Sequence, residues 1–211
     1  MKKILWLLIF GILFVLPTQA QAVFIVDTGS GDPQFGVSIY NRTNGDYQVN
    51  AGQFTIAQSY TISSLETWMY SVNSGSLDLV LYGDNGNLPD PSNEILRQSF
   101  NVASGPITDW QGLTGLDLSL NSGSYWISLE KTTPTDGFSV NLPTGAPNPL
   151  SGYAYRAEED NGGNWTAYVG HQGFRVGAFD EPVTTPEPAT MLLMGGGLAG
   201  MLWRRRKSSK I

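Results

Sequence analysis

From Val23 to Val183 no window sustains apolar residues at the 3.6-residue spacing of a helix, whereas two-residue alternation returns every 8 to 15 residues. Leu77, Leu79 and Leu81 alternate with Asp78, Val80 and Tyr82, and Leu116, Leu118 and Leu120 alternate with Asp117 and Ser119. A period of two places alternate side chains on opposite faces of a strand, so these segments predict strands with one buried face. The same reading predicts strands over Phe35–Tyr40, Phe54–Gln58, Ser64–Ser71, Ile95–Val102, Ser124–Glu130, Gly137–Leu142, Tyr153–Ala157, Trp165–Val169 and Phe174–Phe179. Turn formers separate them: Asn44-Gly45-Asp46, Asp84-Asn85-Gly86-Asn87, Asn121-Ser122-Gly123 and Asn161-Gly162-Gly163-Asn164. Pro143–Ser151 carries no strand pattern. Some ten short strands in this length predict an all-β fold, a single antiparallel β-sandwich of jelly-roll-like type. A chain of this size buries roughly 70% of its unfolded surface, which supports a core without disulfides or metal.

Both ends depart from this pattern. Lys2 and Lys3 precede the apolar run Ile4–Leu16, Pro17 breaks it, and Ala20-Gln21-Ala22 offers the small residues a signal peptidase reads. The 13 residues of that run span about 20 Å as a helix, short of the roughly 30 Å of hydrocarbon in a bilayer. Residues 1–22 therefore read as a secretory signal peptide, cleaved after Ala22. At the other end Thr184-Thr185-Pro186-Glu187-Pro188 leads into Ala189–Trp203, fifteen residues without a charge, and then Arg204-Arg205-Arg206-Lys207. An apolar stretch closed by a basic cluster is a stop-transfer signal that keeps the cluster cytoplasmic and the preceding domain outside. The order of segments is a signal peptide (1–22), a β-sandwich domain (23–180), an extended linker (181–188), a short transmembrane segment (189–203) and a basic cytoplasmic tail (204–211).

Pro186-Glu187-Pro188, the Gly-rich apolar stretch and the Arg run resemble, in order and separation, the PEP-CTERM sorting signal of Gram-negative bacteria. The resemblance implies processing by exosortase, a membrane cysteine peptidase associated with exopolysaccharide synthesis, after a transient stay in the inner membrane. The released domain would then reach the cell surface or the extracellular matrix. The two prolines lack N–H groups and hold their neighbours extended, a form that a protease can grip. Ser59–Ser64, Leu79–Pro89, Leu120–Leu129 and Gly163-Asn164-Trp165 resemble the exported bacterial modules called choice-of-anchor domains, which implies fold and location and no activity.

Charge narrows the possible partners. Residues 23–183 hold five basic against seventeen acidic residues, a net of −12, which repels nucleic acid and anionic lipid. There is no cysteine, so thiolate chemistry and cysteine-ligated metals are excluded. Phe24-Ile-Val-Asp27-Thr28-Gly29-Ser30 matches the loop that carries the catalytic carboxylate of aspartic proteases. That chemistry needs a second such loop, none occurs, and a first strand running into a Gly-Ser-Gly turn explains the same residues. His171 is the sole histidine, so a zinc site with three His or Cys ligands is excluded, and no Gly-x-Ser-x-Gly elbow accompanies it. Asp84, Asn85, Asn87 and Asp90, and separately Glu158, Glu159, Asp160 and Asn161, crowd oxygen ligands of the kind that suits Ca²⁺, although turns need the same residues. Trp68, Trp110, Trp126 and Trp165 with nine Tyr enrich the domain in aromatics. Trp126, on the opposite face from Tyr125, Ile127 and Leu129, is the ring expected to be most exposed for stacking on sugars. No cofactor and no complete catalytic constellation is read. The sequence points to a non-enzymatic exported protein of the exopolysaccharide matrix, alternatively to a carbohydrate-binding module, and less well to a secreted hydrolase.

Overall fold

The structure, a computed structural model, describes residues 22–157 and 163–179. Twelve strands account for most of them: β1 (Ala22–Asp27), β2 (Asp32–Asn41), β3 (Tyr47–Ile56), β4 (Tyr60–Ser71), β5 (Gly75–Asp84), β6 (Pro89–Val102), β7 (Gly105–Leu120), β8 (Gly123–Glu130), β9 (Val140–Thr144), β10 (Gly152–Ala157), β11 (Thr166–Tyr168) and β12 (Phe174–Phe179). Every pairing among them is antiparallel, and no helix occurs among the described residues.

Hydrogen bonding links the strands into one sheet that folds back on itself as a β-sandwich. Its first layer has the order β7-β4-β12-β1, and its second has the order β11-β10-β3-β8-β5-β6. The layers are joined at one corner by β9 and β2, which pair with each other and touch β4 at Tyr70 and β3 at Tyr47 and Gln48. Ala22 to Phe179 forms one compact unit.

Alternation puts Ile62, Leu65, Met69, Leu113 and Val176 of the first layer against Phe54, Leu77, Leu79, Leu81, Ile127 and Leu129 of the second, and these side chains are buried in one core. Each fully buried Leu or Ile of this kind contributes about 1.5–3 kcal/mol relative to exposure. The expectation of one buried face per strand fails for β5, where Val80 and Tyr82 are as buried as their Leu neighbours. Leu88 and Trp165 lie over the outer face of the second layer and seal a second, smaller cluster of Ala51, Val80, Tyr82, Trp126 and Ala154. β6 runs through Pro89 and Pro91 because it is an edge strand, where a missing N–H leaves no ladder bond unmade.

The loop from Lys131 to Phe138 is tied down at several points. Lys131 Nζ donates to the carbonyls of Asn41, Thr135 and Phe138 at 3.2, 2.6 and 3.1 Å, and its burial pulls the ammonium pKa down. Thr43 donates its amide and its hydroxyl to the Asp136 carboxylate, which holds that carboxyl below its ordinary range. A carboxyl with a lower pKa when folded than when unfolded contributes stability above the ordinary carboxylate range and loses it as the pH falls through the folded value. Acidification from roughly pH 6 to pH 3 should therefore raise the amide exchange of Thr43, corrected for intrinsic rates, ahead of that of the core strands. Exchange at Thr43 that keeps pace with the core throughout would refute this.

Candidate functional site

The sorting residues Pro186, Glu187 and Pro188, the basic residues Arg204, Arg205, Arg206 and Lys207, the predicted transmembrane segment and Ala20 lie outside the described residues, as do Glu158 to Asn161. Among the described residues no helix is long and apolar enough to cross a membrane. Ala22 opens β1, its backbone paired with that of Phe179.

Asp27 and Thr28 end β1. Asp27 Oδ1 accepts the Gly29 amide at 2.9 Å and lies 3.1 Å from Arg175 Nε, while the buried Thr28 hydroxyl accepts the Phe174 amide at 2.7 Å. The motif closes the β1–β12 ladder, as the turn reading expects. His171 is exposed in the loop before β12. Asp84 Oδ1 accepts Gln53 Nε2 at 2.7 Å and the Trp126 indole N–H at 2.8 Å, and Oδ2 accepts the Asn87 amide at 3.4 Å. Gly86 and Asn87, with φ of +63° and +69°, form the tight turn that Asn85 and Leu88 close at 2.8 Å. Asp90 Oδ1 accepts the Ser92 amide and hydroxyl. Asp84 and Asp90 thus serve separate local turns, and no group of three or more metal-binding side chains gathers among the described residues.

Trp126 stands on the face that alternation predicts, but against expectation its ring is only 1% exposed, because the Leu88 and Trp165 segments cover that outer face. No sugar can stack on it.

Further along that outer face a charged network surrounds Glu130. Its Oε1 accepts from Tyr82 at 2.9 Å and Ser128 at 3.1 Å, and its Oε2 lies 3.1 Å from Arg97 and 3.2 Å from Arg156. Burial and the Glu130 carboxylate push the Tyr82 phenol far up, so it remains a donor at any physiological pH. Beside the network lies an open cleft of about 320 Å³ between Ser74–Ser76 and the Lys131–Phe138 loop. Its floor, Asp78, already accepts from Ser99, Thr132 and Arg97, which leaves little acceptor capacity for a ligand.

The outer face of the first layer differs. Adjacent strands β1, β12, β4 and β7 set Phe24, Arg175, Glu66, Trp68 and Trp110 on one side, since the alternate positions Leu65, Leu113, Phe174 and Val176 face the core. Trp68 and Trp110 are paired across β4 and β7 with ring centroids 5.3 Å apart. The Arg175 guanidinium lies 3.9 Å from the Trp110 centroid and 4.9 Å from that of Phe24, so the cation bridges two rings. Gly173 permits this packing, because a Cβ there would come within 2.6 Å of Trp68 Cβ. Phe24 is 49% exposed and both indoles are half-buried. Glu66 accepts no hydrogen bond among the described residues, and burial raises its pKa against the opposing pull of Arg175. In the sequence Trp68 and Trp110 stand out only as members of an aromatic excess. The strand signal at Trp110 is weak, so its register beside Trp68 was invisible.

Thr184 to Lys207 match the model of the PEP-CTERM protein-sorting motif. The chain carries that signal. It is thus exported and processed by exosortase, through a transient membrane anchor. The match spans residues 184–207 of 211 and does not extend into the β-sandwich domain. No curated protein matches the chain. Among solved structures, a carbohydrate-binding module, CBM36, in complex with calcium and xylotriose is similar over 58% of this chain and 88% of its own, at 15% identity and a TM-score of 0.34. A likeness this distant says nothing about a ligand here.

Proposed function

We propose that the protein is a non-catalytic, jelly-roll-like β-sandwich that leaves the cell behind a signal cleaved after Ala22 and ends at the cell surface or in the exopolysaccharide matrix. There it serves as a structural or binding component. The observation that carries this reading is the sorting motif at residues 184–207, since a domain released from its membrane anchor acts outside the cell. Four of the described carboxylates support the non-catalytic reading: Asp78, Asp84 and Glu130 are each bound by several donors and Asp27 is paired with Arg175, which engages them in structural contacts. The net charge of −12 over residues 23–183 argues against nucleic acid as partner.

A second reading, a carbohydrate-binding module, is favoured by the exposed ring of Phe24 beside the half-buried indoles of Trp68 and Trp110 on one sheet face. Fractionation of producing cells tests the main reading: the mature protein should leave the inner membrane and co-sediment with the exopolysaccharide. A mature protein confined to the inner membrane would refute the proposal, as would turnover of a polysaccharide or peptide by the exported protein.

A further inference from the structure

We propose that the outer face of the β7-β4-β12-β1 layer is a binding site for a neutral polysaccharide chain, with Phe24, Trp68 and Trp110 as stacking surfaces and Glu66 as the acceptor for sugar hydroxyls. This rests on the extracellular reading above and names the ligand class and the site.

The stripe has the width of a short run of sugars. Its residues sit on four adjacent strands, about 14 Å from the first to the last at roughly 4.8 Å per strand, the span of a few sugar units. Phe24, 49% exposed, offers flat apolar area on the side away from Arg175 to the C–H face of a pyranose, the half-buried indoles of Trp68 and Trp110 extend it, and the assembly is already rigid. Arg175 is stacked on both Trp110 and Phe24 and ion-paired with Asp27, so little side-chain entropy remains to be lost on binding.

Polarity selects the kind of chain. Among the described residues Glu66 stands beside these rings without a hydrogen-bond donor, while the acidic groups of the second layer, Asp78 and Glu130, hold several donors each. Its one cationic neighbour, Arg175 opposite it on β12, is shared with Asp27, and burial raises the Glu66 pKa, so the folded state loses stability as the pH rises through its titration. Hydroxyl donors of a sugar would supply the missing bonds. Asp27, Glu66 and Asp109 flank the single cation Arg175, and residues 23–183 carry a net charge of −12, so a uronate- or sulfate-bearing chain is repelled.

The test is affinity electrophoresis and titration of the exported mature protein against soluble β-glucan, xylan and galactomannan, with polygalacturonate as the acidic probe. At least one neutral polymer should retard the protein and polygalacturonate should not. Glu66→Gln should weaken binding about 10-fold or more, the worth of a hydrogen bond to a charged group, and should leave the melting temperature equal or higher. Trp110→Ala should abolish binding, whereas Phe35→Ala, an exposed ring on β2, should leave it unchanged. If Trp110→Ala fails to fold, Glu66→Gln alone decides. Wild-type affinity in Glu66→Gln overturns the site, and equal retardation by polygalacturonate overturns the neutral-chain assignment. If the protein still co-sediments with exopolysaccharide in either case, the matrix role stands without this site.

Discussion

Trp126→Ala in the exported protein should lower its stability by about 3–5 kcal/mol, the cost of deleting a large buried aromatic and leaving a cavity. For a domain of this length that corresponds to a fall of about 6–20 °C in melting temperature. The indole fills the centre of the outer cluster of Ala51, Val80, Tyr82 and Ala154, and its N–H donates to Asp84 at 2.8 Å. Its loss removes apolar contact and loosens the turn that carries Leu88. Trp126→Phe should recover part of this, lacking some of the larger ring's packing and the hydrogen bond to a carboxylate, worth about 1.5–3 kcal/mol. Chemical denaturation with both variants checks the prediction. A loss below about 1 kcal/mol for Trp126→Ala would show that the second layer is not sealed on its outer side.

Replacing Pro186, Glu187 and Pro188 together with Ala should leave nearly all of the chain as unprocessed precursor in the inner membrane. Three alanines restore amide donors and permit a helix to run on from Ala189, so the extended segment that a peptidase grips is lost. Replacing Arg204, Arg205 and Arg206 with Ser acts at the other end of the motif and should weaken retention before cleavage, because the positive cluster is what resists export. Mass spectrometry of the wild-type surface protein should find no residue beyond about 188; a C-terminus at Ile211 would refute processing.

What could be read from the sequence was what local alternation encodes. Leu77, Leu79 and Leu81 do face the core, and the turn at Gly86-Asn87 stands where the Asp-Asn-Gly-Asn run put it. The first half of β3 is hidden because buried polar residues stand on both of its faces, Asn50 on the side of Phe54 and Gln53 on the side of Ala51, held by side-chain hydrogen bonds to Ser38 and Asp84, and so break the apolar pattern. Residues 105 to 115 of β7 were hidden by Gly, Pro and Thr and by the irregular pairing with β4 around Gly115. Faces follow from counting by twos along one strand, whereas exposure depends on what other parts of the chain bring over that face. That is why the face of Trp126 was right and its exposure wrong. The stripe of Phe24, Arg175, Glu66 and Trp110 draws on four strands spread over some 150 residues, and only their register assembles it.

The pairing of Ala22 with Phe179 places the first and last described residues of the domain side by side on one ladder. Leader and tail are therefore attached at neighbouring strand ends of the same ladder. The sorting motif starts at residue 184, past Phe179, so cutting there leaves the described ladder whole. A domain wired in this manner is a cassette: a different anchor could be spliced on at the same corner, or a short bridge could join the two ends and the chain be reopened at another turn, with the sandwich itself unaltered.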